Sequence, residues 1–229
     1  LLNNETYFFR DRPMFELLSA RVLSDLAERR RAARRLRIWS AGCSTGQEAW
    51  SLAIAAQEAG VAVVIVATDL SQRALEKARS GAYTGFEIQR GLKAETMLRH
   101  FDQAEDAWIA RAELRAMVHF ARANLVDAPT DAHQFDIIFC RHVLGDADPA
   151  RRGEMFDNLE RRLVDDGCLF LGPDEQPDGD SIAFRAVAGR TGVVHVDDVV
   201  AVAERPDEVQ VLPAVAVEVQ DRGDAVDGV

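Results

Sequence analysis

Hydrophobic and polar positions change period several times along the chain, and each change marks an element. Between Phe15 and Arg35, Leu18, Val22 and Leu26 recur at helical spacing, which predicts an amphipathic helix of about five turns. Ile38 to Ser40 forms a short apolar strand, and Gly46 to Ala59 reads as a helix closed by Gly60. "VAVVIVATD", Val61 to Asp69, is apolar and β-branched almost throughout, as expected of a parallel strand covered on both faces. Ser71 then caps "SQRALEKARSG", a helix ending at Gly81. From Tyr83 to Asn124 the texture differs. "LKAETMLRHF" is helical, while "AWIARAELRAMVHFARANL" alternates apolar and polar residues as short antiparallel strands do.

The strand-helix rhythm returns with the strand "FDIIFC", a helix from Ala150 to Val164 and the strand "CLFLG". "SIAFRAVA" and "GVVHV" read as a closing pair of strands. This order predicts an α/β doubly wound sheet with an excursion inserted midway. "EVQVLPAVAVEVQD" has strand-like alternation broken by Pro213, and "RGDAVDGV" reads as disordered.

At 229 residues the chain suits one α/β domain with an appendage. No apolar run is long enough to span a bilayer, and no secretory signal is visible. Leu1 at the start suggests a piece of a longer gene product. The three cysteines, Cys43, Cys140 and Cys168, fall in or beside apolar runs. They read as reduced and buried, which points to the cytoplasm. A net charge of −11 argues against nucleic acid or an anionic membrane as the main partner. From Asp197 to Val229 there are nine acidic and two basic residues, an acidic extension. The one basic cluster is Arg29, Arg30, Arg31, Arg34, Arg35 and Arg37. A solvated helix end explains it, and an acidic helical partner is the alternative.

Candidate chemistry centres on Gly42-Cys43-Ser44-Thr45-Gly46. These letters fit the G-x-S-x-G elbow of a serine nucleophile, yet Ser44 follows the first strand of the sheet, with no strands upstream to build an oxyanion hole. The other reading is a small-residue turn (Ser40, Ala41 and Gly42, then Gly46) that lets a ligand approach backbone at the strand tips. Asp69 ends the second strand, 23 residues after Gly46, where a carboxylate can accept from both ribose hydroxyls of a nucleoside. The turn is not G-x-G-x-x-G, and Glu48 in the first helical turn would repel a pyrophosphate. A cationic cofactor such as S-adenosylmethionine suits that acid. Histidines with metal-ligand spacing are absent, so no metal is expected.

"NNETYFFRD", "WSAGCSTGQEAWSLAI", "ATDLSQRALEKARSGAY", "FARANLVD" and "FDIIFCRHVL" stand in the order and spacing of the CheR family, which this chain resembles from Asn3 to His195. These are S-adenosylmethionine-dependent methyltransferases that esterify chemoreceptor glutamates. The resemblance implies a Rossmann-like class I methyltransferase sheet, its last strand antiparallel, with a small inserted β-subdomain. The corresponding domains are residues 1–36 as a cofactor-lining segment and linking helix, 37–196 as the methyltransferase domain with 85–122 inserted, and 197–229 as the extension. It implies cofactor contacts from Asn4, Thr6 and Arg10, from Ala41 and Gly42 of the turn, and from Glu48 at the methionyl end. Asp69 takes the ribose, Asn124 and Leu125 frame the adenine, and Val143 matches a cofactor-contacting position. His142, in place of the family's asparagine, is either a new polar contact to the cofactor or a space filler. Arg10 is the expected catalytic residue, orienting a carboxylate. The partners implied are chemoreceptor cytoplasmic helices or another protein carboxylate.

After "FCR" the family has Asn-Val and soon an Ile-Tyr-Phe run, where this chain reads "HVLGDAD". The family's Gly-His-Ser-Glu stands here as Gly172-Pro173-Asp174-Glu175. The departures fall on the substrate side. They leave open a methyltransferase with altered substrate or weak activity, or a module that binds S-adenosylmethionine or S-adenosylhomocysteine as a signalling regulator.

Overall fold

The computed structural model describes residues 5–30, 35–127, 134–145, 147–172, 175, 192–196 and 199–203, the last two stretches as backbone. The first helix starts earlier than its periodicity indicates. Arg12–Leu17 is α1, Leu18–Val22 is one π-type turn, and Leu23–Arg29 is α2. Pro13 in the first turn sets this start, since proline tolerates the first helical turn and little else. The helix stops at Arg29, short of Arg35.

Leu36–Ala41 forms β1, Gln47–Glu58 α3, Val63–Asp69 β2 and Gln72–Ser80 α4. Ser71 caps α4 by accepting from the Ala74 amide at 3.2 Å. Then come Ala82–Tyr83 (β3), Gly85–Gln89 (α5), Ala94–His100 (α6), Phe101–Gln103 (β4), Trp108–Ala110 (β5), Ala112–Arg115 (α7) and Val118–Arg122 (β6). Phe135–Cys140 is β7, Pro149–Arg162 α8, Leu163–Leu171 β8, Gly192–Val196 β9 and Val199–Ala203 β10.

Seven strands form one sheet in the order β6-β2-β1-β7-β8-β10-β9, and β3-β5-β4 form a small second sheet. The pairs β1/β2, β2/β6, β1/β7 and β7/β8 are parallel, while β10 is antiparallel to both β8 and β9. This is an α/β doubly wound sheet with its last strand antiparallel.

Three boundaries move relative to the sequence reading. The inserted sheet begins at Ala82, before residue 85, and Val118–Arg122 belongs to the main sheet, parallel to β2. Its alternation arises because β6 is an edge strand with little of its length buried, and half-exposed strands alternate whatever their direction. The sheet also runs past residue 196, because β10 lies between β8 and β9. "GVVHV" therefore pairs with Val199–Ala203; "SIAFRAVA" and residues 204–229 lie outside the described residues.

Strand residues alternate between two cores. Leu36, Ile38, Ile65, Ile137, Phe139 and Phe170 pack with α3 and the N-terminal helix. Trp39, Ala41, Ile138, Cys140, Leu169 and Leu171 pack with Phe156 and Leu159 of α8. Arg30 fastens α2 to the sheet. Its Nε meets Asp136 of β7 at 2.7 Å, and its two terminal nitrogens grip Asp166 of β8. Asp136 also accepts from the Arg37 amide at 2.8 Å. Arg30 is thus an internal clamp rather than part of a solvated basic face, and Arg31 and Arg34 lie outside the described residues.

Candidate functional site

The carboxyl ends of β1, β2 and β7 open into a cavity lined by Thr6, Arg10, Gly42, Cys43, Ser44, Glu48, Asp69, Asn124, Leu125, Arg141, His142 and Val143, among others. Its floor is the turn after β1. Gly42 adopts φ +84°, and a Cβ there would stand 2.3 Å from Val143 Cγ2; glycine alone meets both conditions. The amides of Gly42 and Cys43 donate to the Thr68 carbonyl at 2.8 and 2.9 Å. The Gly46 amide donates to the Cys43 carbonyl at 2.9 Å, and that of Ser44 to Asp69 Oδ2 at 2.7 Å. With these amides occupied the turn is no phosphate cradle, which needs free donors.

Asp69 accepts one further amide, from Ser71 at 2.8 Å. Each carboxylate oxygen has more than one acceptor position, so the side chain is held rigidly while still able to take hydroxyls. The hydroxyl of Ser44 is buried without a hydrogen-bond partner among the described residues. Among the described residues no imidazole hydrogen-bonds to it, and there the nucleophile reading of the G-x-S-x-G match finds no base. Cys43 is equally inert, because burial, reinforced by Asp69 and Glu48, pushes its thiol pKa well up.

One wall is an ionic network that the sequence did not announce. Arg141 follows β7 directly, its side chain 1% exposed. Its Nη1 donates to Glu48 Oε2 at 3.0 Å, and its Nη2 to the Arg10 carbonyl at 3.1 Å and to Asp11. Glu48 also accepts from the Ser40 hydroxyl at 2.7 Å. Asp11 Oδ2 stands 3.2 Å from His142 Nε2. That hydrogen bond, ahead of the charges of Arg141, His142 and Arg10, holds the Asp11 carboxyl below its ordinary pKa. The available signal for Arg141 was an arginine directly after the apolar run Ile137 to Cys140; a buried guanidinium needs carboxylates.

The N-terminal segment, which supplies Arg10 and Asp11 to that network, also lines the cavity. Phe8, fully buried, anchors it edge-on to Tyr83 and Phe101 at centroid distances of 5.1 and 5.6 Å. This places Glu5, Thr6, Tyr7 and Arg10 at the cavity. Arg10 Nη1 donates to the Glu5 carbonyl at 2.6 Å. Glu5 and the Tyr7 ring engage Arg90 of the inserted region. At the far wall the Asn124 side chain is committed to its own loop, accepting from the Val126 amide and donating to Asp127, so Leu125 is left as the apolar contact. Ala41 is fully buried and does not reach the cavity; it packs in the second core, one residue short of the turn. Asn4 and Asp146 lie outside the described residues.

The family model of the CheR methyltransferase, SAM binding domain, matches residues 4–193. The chain belongs to the CheR methyltransferase family. It is similar to chemotaxis protein methyltransferase 1 of Pseudomonas aeruginosa, 35% identical over 204 residues, covering 85% of this chain and 74% of that protein. Chemotaxis protein methyltransferase 2 of the same organism is 37% identical over 186 residues, covering 76% and 64%. Its probable biofilm formation methyltransferase WspC is 34% identical over 176 residues, covering 75% and 41%.

The cofactor of a CheR domain is S-adenosylmethionine, and the residues present fit it. Asp69 would take the ribose hydroxyls, and Leu70, Leu125, Val143 and Met155 supply an apolar berth for a base. Glu48, half-compensated by Arg141, stands at the first turn of α3, where a positively charged group is favoured. Among the described residues no cluster of His, Cys, Asp and Glu could hold a metal ion, and no helix is long and apolar enough to cross a membrane.

Proposed function

We propose that this CheR-family methyltransferase is a protein-glutamate O-methyltransferase acting on chemoreceptor cytoplasmic helices. The observation that carries this reading is Arg10. Its guanidinium lines the cavity, donates to a backbone carbonyl, and has no carboxylate within ion-pair distance among the described residues. It remains available to fork onto a carboxylate. When bound, S-adenosylmethionine supplies an electrophilic methyl group. A glutamate side chain is ionised at neutral pH, so the acceptor needs no general base, and the protein's contribution is alignment and exclusion of water. The names of the relatives support chemotaxis as the setting, and the buried, unbridged Cys43, Cys140 and Cys168 favour a cytoplasmic location.

Radiolabelled methyl transfer to chemoreceptor membranes, read as base-labile ester, tests the reading. Transfer by the parent is expected, falling roughly 100-fold or more in Arg10→Ala while S-adenosylhomocysteine still binds. The substrate-side sequence departures motivate the alternative, a module that binds cofactor as a regulator. Cofactor binding by the parent without any transfer would favour it.

A further inference from the structure

The loop after β7 turns back on itself, with His142 at φ +58°, and four successive amides of this loop converge on one carboxylate. Glu175 Oε1 accepts from Val143, Leu144 and Gly145 at 2.5, 2.6 and 3.2 Å. Oε2 accepts from His142 at 2.6 Å and from Gly172 at 2.9 Å. Glu175 is 4% exposed, and no cation lies within ion-pair distance among the described residues. Five N–H dipoles therefore balance its charge. Successive amides pointing inward make an anion-binding nest, and here the anion belongs to the chain itself. Without it four convergent donors, one buried and three part-buried, would lose their shared acceptor, a costly arrangement.

The loop carries its consequence to the cofactor. His142 and Val143 line the cavity, and Val143 lies against Gly42 so closely that a Cβ at Gly42 would overlap it. His142 also faces Asp11 of the N-terminal segment. We propose that Glu175 is a positioning residue for the cofactor site: its carboxylate is the internal anion that shapes the 142–145 nest and so places His142 and Val143. The inference holds for any methyl acceptor.

Removal of the carboxylate leaves an anion site of carboxylate size, so the test is chemical rescue in the full chain, read by calorimetric titration with S-adenosylhomocysteine. Glu175→Ala is expected to bind about tenfold more weakly or worse, and formate to restore affinity saturably where chloride at equal ionic strength does not. Glu175→Gln keeps the volume but turns an amide NH2 toward N–H donors, so it loses affinity without rescue. Parent-like binding by either variant overturns the proposal, as does a folded alanine variant that formate leaves unchanged, because a merely structural role predicts no response. If neither variant folds, hydrogen exchange of the parent decides. Strong protection of the 142–145 amides is required, and unprotected exchange there rules the nest out.

Discussion

Single side chains at the mouth of the cavity act through more than one partner, and this sets the size of their effects. Asp69 immobilises the turn through Ser44 and Ser71, and its remaining lone pairs would take a ribose. Asp69→Ala should weaken S-adenosylhomocysteine binding by roughly 100-fold, the loss of two charge-assisted hydrogen bonds, measurable by calorimetry. Asp11 works through charge. Its carboxyl is held below the ordinary value first by the His142 hydrogen bond and then by Arg141. A group depressed in the folded state contributes stability that is complete above its unfolded pKa and disappears as pH falls through the folded one. Thermal melts should therefore show Asp11→Asn less stable than the parent at neutral pH, by about 1 kcal/mol after allowance for its partial exposure. The gap should close in acid; a gap independent of pH would exclude the ionic role. Asp69 and Glu48 could be placed from the sequence because they sit at fixed offsets from a strand tip. Asp11 could not, since its partners are contributed by a distant strand end.

Among elements, the N-terminal helix shows where local pattern stops. Its apolar period gave the helix and its core face, but not the added tie of Arg30, which reaches Asp136 and Asp166 on two neighbouring strands. The Asp166 carboxyl is correspondingly held below its usual pKa by the Arg30 hydrogen bonds. Asp136 is fully buried, so Arg30→Ala withdraws a cation from a buried carboxylate, at a cost of about 3 kcal/mol. Chemical denaturation should show the midpoint shifted with an unchanged slope, and the melting temperature should fall by roughly 10 °C. A shift within error of zero would mean that the clamp is dispensable. In the sequence Arg30 was one of six arginines in a run, and nothing local distinguishes the one that turns inward. The same ambiguity affected β6, whose alternating burial was read as part of the inserted β-subdomain although it pairs parallel to β2.

For the whole molecule, the decisive fact is the strand order, in which β10 enters between β8 and β9. A chain stopped after Val196 loses the only backbone partner described for β9 and bares the β8 edge. Such a truncation should lose its cooperative thermal transition or precipitate, checked by calorimetry and light scattering against the full chain; an unaltered melt would show the last strand to be an accessory. What the sequence determined by itself is whatever depends on neighbours a few positions apart. The apolar strands, the capped helices, the glycine turn and the carboxylates at the strand tips all belong here, because hydrophobic period and backbone sterics act locally. The tertiary structure alone decided which charges meet. Arg141 joins Asp11 across 130 positions, Arg30 joins Asp166 across 136, and Glu175 gathers a loop some thirty residues behind it. A buried ion takes whichever counter-charge the packed chain brings within reach, and that proximity exists only after the sheet has formed.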